Sequence, residues 1–425
     1  MGSLTQSSSF DVNKVAIIGA GPTGIAAAKY LIAQGICDIT IFEQQDHVSG
    51  IWHYYGLAAG TCPVPQQDPH HPPDTPLQWD STSAPIFISP MYENLHANIP
   101  KEVMQFSDQP FPENAKLFPE RPMIEDYLVK YSEDVKPLIR FCQRVERVSL
   151  KRQDDRDKWE VETKSTMTGN DTARQVFDAV VVANGHYSTP FMPDMRNMKE
   201  CRKPAFLSVR HPTPPGRLHH CGCEEMAEIE EFLVEEKGVL FRDGRIERDV
   251  DAVVFCTGFL YSYPFLRDLD HKLITTGRGV HGLYQHVFDI RHPTLVFPGL
   301  NMKAAPWPLA ESQAALFAAV WSNDIKLPSQ EFMEAWSTEL EKQKGEAFHT
   351  FGPNGDGLYI NRLHDLAMTA KRPGKEPPHW DHELMWQRSV FLDAKVKFEQ
   401  LGCKARTMEE VGFYYKPDNT QTSTV

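Results

Sequence analysis

The feature that most constrains this chain is a strand, a glycine-rich turn and a helix near its start, in the run KVAIIGAGPTGIAAAKYLIAQGICDITIFEQ. The apolar segment VAII is continuous rather than alternating, which is typical of a central parallel strand covered on both faces. Gly19, Gly21 and Gly24 then give the spacing GxGxxG. Pro22 suits the first turn of the helix, and Gly35 suits its end. This order predicts an α/β fold with a doubly wound parallel sheet.

Each glycine of such a turn has its own role when a dinucleotide binds. The first makes the tight turn, the second lets the backbone approach a pyrophosphate, and the third lets the helix pack on the strand. The phosphates would lie at the helix N-terminus, where free N–H groups and the helix dipole favour negative charge. The next strand, DITIFE, ends in Glu43, which is placed to accept hydrogen bonds from ribose hydroxyls. Because a carboxylate also repels a 2'-phosphate, the site predicts FAD or NAD rather than NADP.

Composition and charge limit the kinds of partner that the protein is expected to bind. A chain of 425 residues predicts two or three lobes, and a net charge of -13 argues against nucleic acid or an anionic membrane. The 8 cysteines contain no CxxC pair, which suits a reducing compartment. The start, MGSLTQSSSF, lacks the basic and apolar regions of a secretory signal. We therefore expect a cytoplasmic protein with no membrane span and a small-molecule site.

Further blocks lie downstream of Glu43. Ser49, Gly50, Ile51 and Trp52 form a short G-[GS]-x-W-like stretch. The other blocks read SPMYENLHANIPKEVMQFSDQPFP, FPERPMIEDYLVKYSE, FDAVVVANGHYSTPFMP, DAVVFCTGFLYSYPFL and FPGLNMKAAPWPLAESQAAL. Together with the glycine turn, they make the sequence resemble the flavin-containing monooxygenases, most closely the yeast and fungal branch, over most of residues 14–327.

The resemblance implies a Rossmann-type FAD-binding domain and assigns residues to the cofactors FAD and NADPH. The residues assigned are Gly19, Gly21, Pro22, Thr23, Gly24, Glu43, Gly50, Ile51, Trp52, Asn98, Val145 and Arg210. Asn98 falls on the active-site asparagine of the family and is the catalytic candidate, and the backbone of Val145 would meet the adenine. From the residues alone, Trp52 and Val145 could equally be core residues, and Asn98 could serve only a turn before Ile99 and Pro100.

The inserted NADPH unit of the family is incomplete in this sequence. It normally begins with FxGxxxHxxx[FY], a strand and a second GxGxxG, and none of these follows Pro193. The chain continues with DMRNMKECRK and then PAFLSVR, which is similar to the second strand of that unit. Arg210, at the end of that strand, would meet the 2'-phosphate of NADPH. Judged by the family pattern, about fifty residues are missing, including a central strand and its helix.

Three explanations remain open for the missing segment: a skipped exon in a conceptual translation, a chain deficient in NADPH binding, or a different reductant. The intact flanking blocks favour the first. The predicted fold is therefore a Rossmann-type FAD-binding domain with a reduced inserted NADPH-type domain. Its parts are the first FAD-domain segment at 10–195, the insert at 196–255, the second FAD-domain segment with C-terminal helices at 256–415, and a disordered tail at 416–425.

Other patterns suggest local structure. HHCGCEE, whose potential ligands lie between His219 and Glu224, suggests an exposed loop more than a metal site, because no second cluster lies at zinc spacing. The acidic run EEMAEIEEFLVEEKG predicts a solvated surface with a short helix. FRDGRIERDVDAVVF predicts a hairpin around Asp243 and Gly244. The segment 329–400 is predicted to be helix-rich.

The resemblance implies a flavin monooxygenase that uses NADPH and O2 to oxygenate a soft nitrogen or sulfur nucleophile of a small molecule, in secondary metabolite tailoring. In the family, bound NADP shields the reactive flavin, so a chain without its NADPH segment is expected to release hydrogen peroxide. Two alternatives remain: an FAD oxidase or dehydrogenase that takes electrons directly from substrate, and a non-catalytic flavin-binding remnant.

Overall fold

A seven-stranded sheet forms the centre of the protein, and β1 (Lys14–Ile18) lies inside it. β1 pairs in parallel with β2 (Asp38–Phe42) on one side and with β7 (Ala179–Val182) on the other. The predictions of a buried strand at VAII, of a second strand before Glu43 and of a strand at VVVANG are confirmed.

The rest of the central sheet comes from distant parts of the chain. β3 (Ile139–Arg140) adds to β2 in parallel. On the other side, β15 (Leu295–Val296) runs parallel to β7, and β14 (Phe288–Asp289) and β13 (Leu283–Tyr284) continue the sheet antiparallel. The strand order is β13-β14-β15-β7-β1-β2-β3.

The structure is a computed structural model. It describes residues 9–55, 68–71, 76, 84–87, 89–153, 156–169, 171–191, 225–250, 253, 256–372 and 374–417. The chain divides into two compact units, one made of Met1–Thr189 and Leu260–Val425 and the other of Pro190–Phe259. The sequence predicts the insert at 196–255, within the second unit.

The central sheet is covered on both faces. Val15 and Ile17 of β1 contribute to a core with helices α1 (Pro22–Ala33) and α4 (Pro306–Trp321). Ala16 and Ile18 contribute to a second core on the opposite face. That face is covered by an antiparallel sheet of β4 (Gln143–Gln153), β5 (Arg156–Ser165) and β6 (Thr172–Phe177). The alternation follows from the two-residue side-chain period of a strand.

Helices complete the first unit. α4 is buried along nearly its whole length and packs against α1. The predicted helix-rich segment 329–400 is confirmed, because three helices occupy most of it. Ser329 and Asp381 cap the first and the last of these helices with side-chain hydrogen bonds. The other helices are α2 (Lys101–Met104), α3 (Arg121–Tyr131), α5 (Gln330–Lys344), α6 (Gly355–Ala367) and α7 (His382–Gln400).

In the second unit, the described residues form an antiparallel sheet of β9 (Ile229–Leu233), β10 (Gly238–Phe241) and β11 (Ile246–Glu247). The predicted hairpin is confirmed, since Leu240 pairs with Ile246 across the turn. The predicted short helix in the acidic run is wrong, because β9 occupies it. Two apolar side chains of the run, Ile229 and Phe232, are buried against β10 and stabilise a strand there.

Two short strands, β8 (Thr189–Pro190) and β12 (Phe259–Leu260), form a two-stranded sheet. Of the predicted strand VVFCTG, residues 253 and 256–258 are described, and none of these four is in a strand. Several predictions lie outside the described residues: the strand PAFLSVR with Arg210, the loop at His219–Glu224, and residues 418–425 of the tail. Within the described part of the chain, no helix has the length and apolar character needed to cross a membrane.

Candidate functional site

The glycine turn brings the start of α1 close to the ends of the central strands. Gly19 has a φ of +102°, and a Cβ on it would lie 2.5 Å from the carbonyl oxygen of Ala183. A Cβ on Gly24 would lie 2.0 Å from the carbonyl oxygen of Gly19. Both contacts are far shorter than atoms tolerate, so the turn and the helix can pack this closely only with glycine at both positions.

Gly21 differs from the other two glycines. It caps the N-terminus of α1 with an ordinary φ of -75°, and a Cβ on it would lie no closer than 3.8 Å to other atoms of the chain, the nearest being Gly50 Cα. Pro22 occupies the first turn, no side chain caps the helix, and no acidic residue lies in that turn. The free N–H groups of this helix end are therefore available to an anionic ligand.

Glu43 follows β2 and is 5% exposed. Its Oε2 accepts a hydrogen bond of 2.7 Å from the N–H of Ala20, and its Oε1 accepts one of 2.9 Å from the N–H of Gln45. Burial raises the pKa of Glu43, while these backbone hydrogen bonds oppose the rise. Glu43 thus holds the glycine turn in place, and its predicted contact with a ribose remains a prediction.

A second turn packs against the glycine turn. Gly50 begins a short 3-10 helix, Gly50–Trp52, and a Cβ on Gly50 would lie 3.4 Å from Gly21 Cα. Ser49 is fully buried in a left-handed conformation, and its N–H donates to the carbonyl of Ala20. The two predicted segments are therefore brought together by backbone contact, with Ile51 between Gly50 and Trp52 in the same turn.

Polar atoms without partners lie at this second turn and beside it. Ser49 Oγ, His53 Nε2 and Arg121 Nε are buried and have no hydrogen-bond partner within the described part of the chain. Arg121 approaches the turn directly, since its guanidinium donates to the carbonyl of Trp52 at 3.3 Å. Buried polar groups are rarely left unsatisfied. These atoms fit a site built for a polar ligand such as a dinucleotide.

Trp52 and Asn98 belong to segments that pack on one core. Trp52 lies edge-on to the buried Trp307, with ring centroids 6.4 Å apart. Ile99, next to Asn98, packs against the same core. Asn98 itself is exposed in a bend before α2, and no hydrogen bond of its side chain occurs among the described residues. No group of the described residues therefore competes with a ligand for its carboxamide.

Of the two remaining predicted cofactor contacts, Val145 and Arg210, the structure describes only Val145. Val145 lies on β4, is 7% exposed and belongs to the core between the two sheets. Its side chain is thus a core residue, as one of the two interpretations held, and the contact of its backbone with an adenine is untested. Arg210 lies outside the described residues.

The structure adds two residues that the sequence analysis did not single out. Gly299 has a φ of +77°, and a Cβ on it would lie 2.8 Å from the hydroxyl of Thr23 on α1. The N–H of Gly299 donates to Oε1 of the buried Gln313 on α4 at 2.8 Å. This contact joins the start of α1 to the C-terminal part of the chain. In the sequence, Gly299 lies in the block FPGLNM, which supports the family resemblance but indicates no role for this residue.

The described residues fit FAD and NADPH to different degrees. For FAD, the uncapped N-terminus of α1, the open side of Gly21 and the unpartnered atoms near Gly50–Trp52 are suitable. For NADPH, the described residues of the second unit contain the sheet β9–β11 and no helix that could hold a pyrophosphate. The described residues therefore provide no site for the pyrophosphate of NADPH.

Fold and site together define a flavoprotein of the doubly wound type, with its dinucleotide site at the first strand-turn-helix. The family described as flavin-binding monooxygenase-like matches residues 86–200 and 215–374, and an NAD(P)-binding Rossmann-like domain matches residues 17–71. The chain belongs to the flavin-binding monooxygenase-like family. It is an NADPH-dependent flavin monooxygenase by membership, and FAD and NADPH are its cofactors.

Two relatives agree with this assignment, and one solved structure shares the fold. The thiol-specific monooxygenase of Saccharomyces cerevisiae is 27% identical over 94% of this chain and 96% of its own length. The senecionine N-oxygenase of Tyria jacobaeae is 26% identical over 86% of this chain and 84% of its own. The structure of S-allyl-L-cysteine S-oxygenase from Allium sativum superposes with a TM-score of 0.74 at 23% identity, covering 95% of this chain and 98% of that one. This last likeness supports the fold.

Proposed function

We propose that the protein oxygenates a nitrogen or sulfur nucleophile of a small molecule, with FAD bound along the N-terminus of α1. The observation that carries the proposal is the open helix end between Gly21 and Gly50, which no side chain caps. The names of the relatives support the reaction class, since they include a thiol-specific monooxygenase and an N-oxygenase. The same names support a role in tailoring small metabolites.

Different residues of the site would hold different parts of the cofactor. The first-turn N–H groups of α1 would hold the pyrophosphate, since a helix N-terminus favours anions. Glu43 keeps the turn rigid through Ala20, and the Gly50–Trp52 turn closes one side. When bound, FAD would supply the redox chemistry of the reaction.

Side chains around the isoalloxazine must exclude water and position the substrate. We infer that Trp52, supported by Trp307, shields one side, and that Asn98 contributes its free carboxamide beside the reacting atoms. Asn98→Ala should leave the FAD absorbance spectrum unchanged. It should lower the oxygenated product per NADPH consumed, which is the minor product expected beside hydrogen peroxide, at least tenfold. Asn94→Ala, an exposed asparagine of the same segment, is the matched control. Equal product yields for the two variants would reject the role of Asn98.

The first experiment is an anaerobic NADPH titration of the purified protein, followed by absorbance spectroscopy. A monooxygenase should show bound flavin that bleaches with NADPH and recovers colour with O2. Incubation with a panel of small thiols, thioethers and tertiary amines should then separate S-oxygenation from N-oxygenation by mass spectrometry. Protein that is well folded yet takes up no FAD would reject the proposal.

The NADPH segment that the family pattern predicts to be missing would limit this particular chain. We propose that it arose by a skipped exon, because the blocks on both sides of residues 199–203 keep the family pattern. Sequencing the transcript across that stretch tests this, and an uninterrupted message without an intervening exon would contradict it. If the chain exists as written, NADPH oxidation should yield mostly hydrogen peroxide, and stoichiometric product would refute that expectation.

Two other candidate functions are a flavin oxidase and a non-catalytic flavin-binding remnant. Both are favoured by the second unit, whose described residues form an antiparallel sheet with no phosphate-binding helix. The same titration separates these functions. Bleaching only with an organic substrate indicates an oxidase, and flavin that no reductant bleaches indicates a remnant.

A further inference from the structure

Five side chains form a histidine–aspartate cluster in the first unit, and no part of the proposed flavin chemistry uses them. The cluster lies where β5 and the turn between β14 and β15 meet the loop that precedes β13. Its members are Asp157, Asp270, His271, Asp289 and His292. Three of these, Asp270, His271 and His292, have ligand atoms within 4.8 Å of one another.

The contacts form an inner and an outer set. In the inner set, Asp270 Oδ1 lies 2.9 Å from His271 Nδ1 and 3.2 Å from His292 Nε2. In the outer set, His271 Nε2 lies 2.7 Å from Asp289 Oδ2, and His292 Nδ1 lies 2.7 Å from Asp157 Oδ2. Each imidazole therefore has a carboxylate at both of its nitrogens.

This arrangement needs positive charge, either as protons on the two rings or as a metal ion at its centre. A neutral imidazole has one N–H and one lone pair, and an ionised carboxylate only accepts. The outer carboxylates are well placed to take the N–H of each ring, because Asp289 is fully buried and also accepts from the N–H of His292 at 2.8 Å. The lone pairs of both rings then face Asp270. Three electron-rich atoms within 4.8 Å of one another repel unless a proton on each ring or a shared metal ion lies between them.

We propose that Asp270, His271 and His292 bind a divalent transition-metal ion of the zinc class. Two imidazoles and one carboxylate are a common set of three protein ligands for such an ion. Ligand atoms around a tetrahedral zinc are separated by about 3.3 Å, given bonds of about 2.0–2.1 Å. The two inner distances to Asp270 Oδ1, 2.9 and 3.2 Å, lie close to that value. Asp289 and Asp157 stand where metal sites place the carboxylates that orient ligating histidines.

Exposure gives the ion a route to the site. The side chain of His292 is 3% exposed and that of His271 is 10% exposed, whereas that of Asp270 is 58% exposed. The fourth ligand position therefore faces solvent beside Asp270. A bound ion would link β5, the loop at Asp270 and the turn before β15, and would stabilise the folded state by binding to it alone.

Calorimetry with Zn²⁺ tests the proposal on the full-length protein after treatment with a chelator. We expect one equivalent to bind at micromolar concentration or tighter and to raise the unfolding temperature. Co²⁺ in place of Zn²⁺ should give the visible absorbance of a four-coordinate site. Two imidazolium groups in place of a metal would leave the protein without such binding, and that result would overturn the proposal.

Variants place the binding at this cluster rather than elsewhere. Asp270→Asn removes an exposed ligand without disturbing the buried rings, and it should weaken Zn²⁺ binding at least tenfold. His364→Gln is the matched control, since it changes a second group, His364, Asp365 and His379, that resembles a ligand set. Its binding should equal that of the wild type. Unchanged affinity in Asp270→Asn would show that zinc binds elsewhere, for example at His219–Glu224, and would also overturn the proposal.

Discussion

Replacing Gly21 with alanine should weaken FAD binding and leave the fold intact. The new Cβ would lie 3.8 Å from Gly50 Cα and 4.0 Å from Gly50 N, which are ordinary contacts. The φ of -75° is also allowed for alanine. The small cost of alanine at a helix cap is offset by the lower entropy of the unfolded chain, so the free energy of unfolding should change by less than about 1 kcal/mol.

The loss in FAD affinity follows from where the methyl group lies. It enters the space at the start of α1 that we assign to the pyrophosphate. Loss of one hydrogen bond to a charged group costs about 1.5–3 kcal/mol, which corresponds to a Kd about 10- to 150-fold weaker. Titration of the apoprotein with FAD, followed by flavin fluorescence, measures the Kd, and urea unfolding of the apoprotein measures stability.

Two other glycines provide the contrast. Gly35→Ala places a Cβ in open space at a φ of +90°, so it should cost about 1–2 kcal/mol of stability and leave the FAD Kd unchanged. Gly24→Ala would bring a Cβ to 2.0 Å from Gly19 O, so it should impair both stability and FAD binding. If Gly21→Ala binds FAD as the wild type does, the phosphate site assigned to α1 is wrong.

Two further predictions concern buried charge. Lys375→Met removes the cation 2.8 Å from the fully buried carboxylate of Glu311, so urea unfolding should show a loss of about 3–5 kcal/mol. The exposed Lys371→Met should be neutral, and a loss below about 1 kcal/mol at Lys375 would contradict the reasoning. Burial lowers the pKa of His349 to about 3, so the unfolded chain binds the extra proton and stability falls as the pH drops from about 6.5 towards 3. In urea unfolding at several pH values, His349→Gln should flatten the dependence of the free energy of unfolding on pH by up to about 1.4 kcal/mol per pH unit. The exposed His382→Gln should leave this dependence unchanged. Equal slopes in the wild type and both variants would refute the prediction.

The first strand, turn and helix were predictable because their constraints are local. Gly19 and Gly24 must be glycine owing to contacts within a few residues or at the adjoining strand, and the sequence pattern carries that requirement. The contact of Gly299 with Thr23 was not predictable, because it depends on how α4 and the last strands pack on α1. A lone Pro-Gly pair is compatible with any turn.

The errors have a similar origin. The acidic run around Ile229 has strong local charge, but burial of Ile229 and Phe232 against β10 outweighs its helical preference. The histidine–aspartate cluster draws its members from β5, the loop at Asp270 and the turn before β15. No spacing along the chain reveals it, since only the sheet order brings these segments together.

The position of β15 beside β7 has a consequence for synthesis on the ribosome. Roughly 110 residues separate these two neighbouring strands, so the edge of β7 stays unpaired for on the order of ten seconds at usual translation rates. An unpaired apolar edge readily joins another chain. The nascent polypeptide therefore passes through an aggregation-prone stage, and its yield should depend on chaperones that bind before its last third emerges.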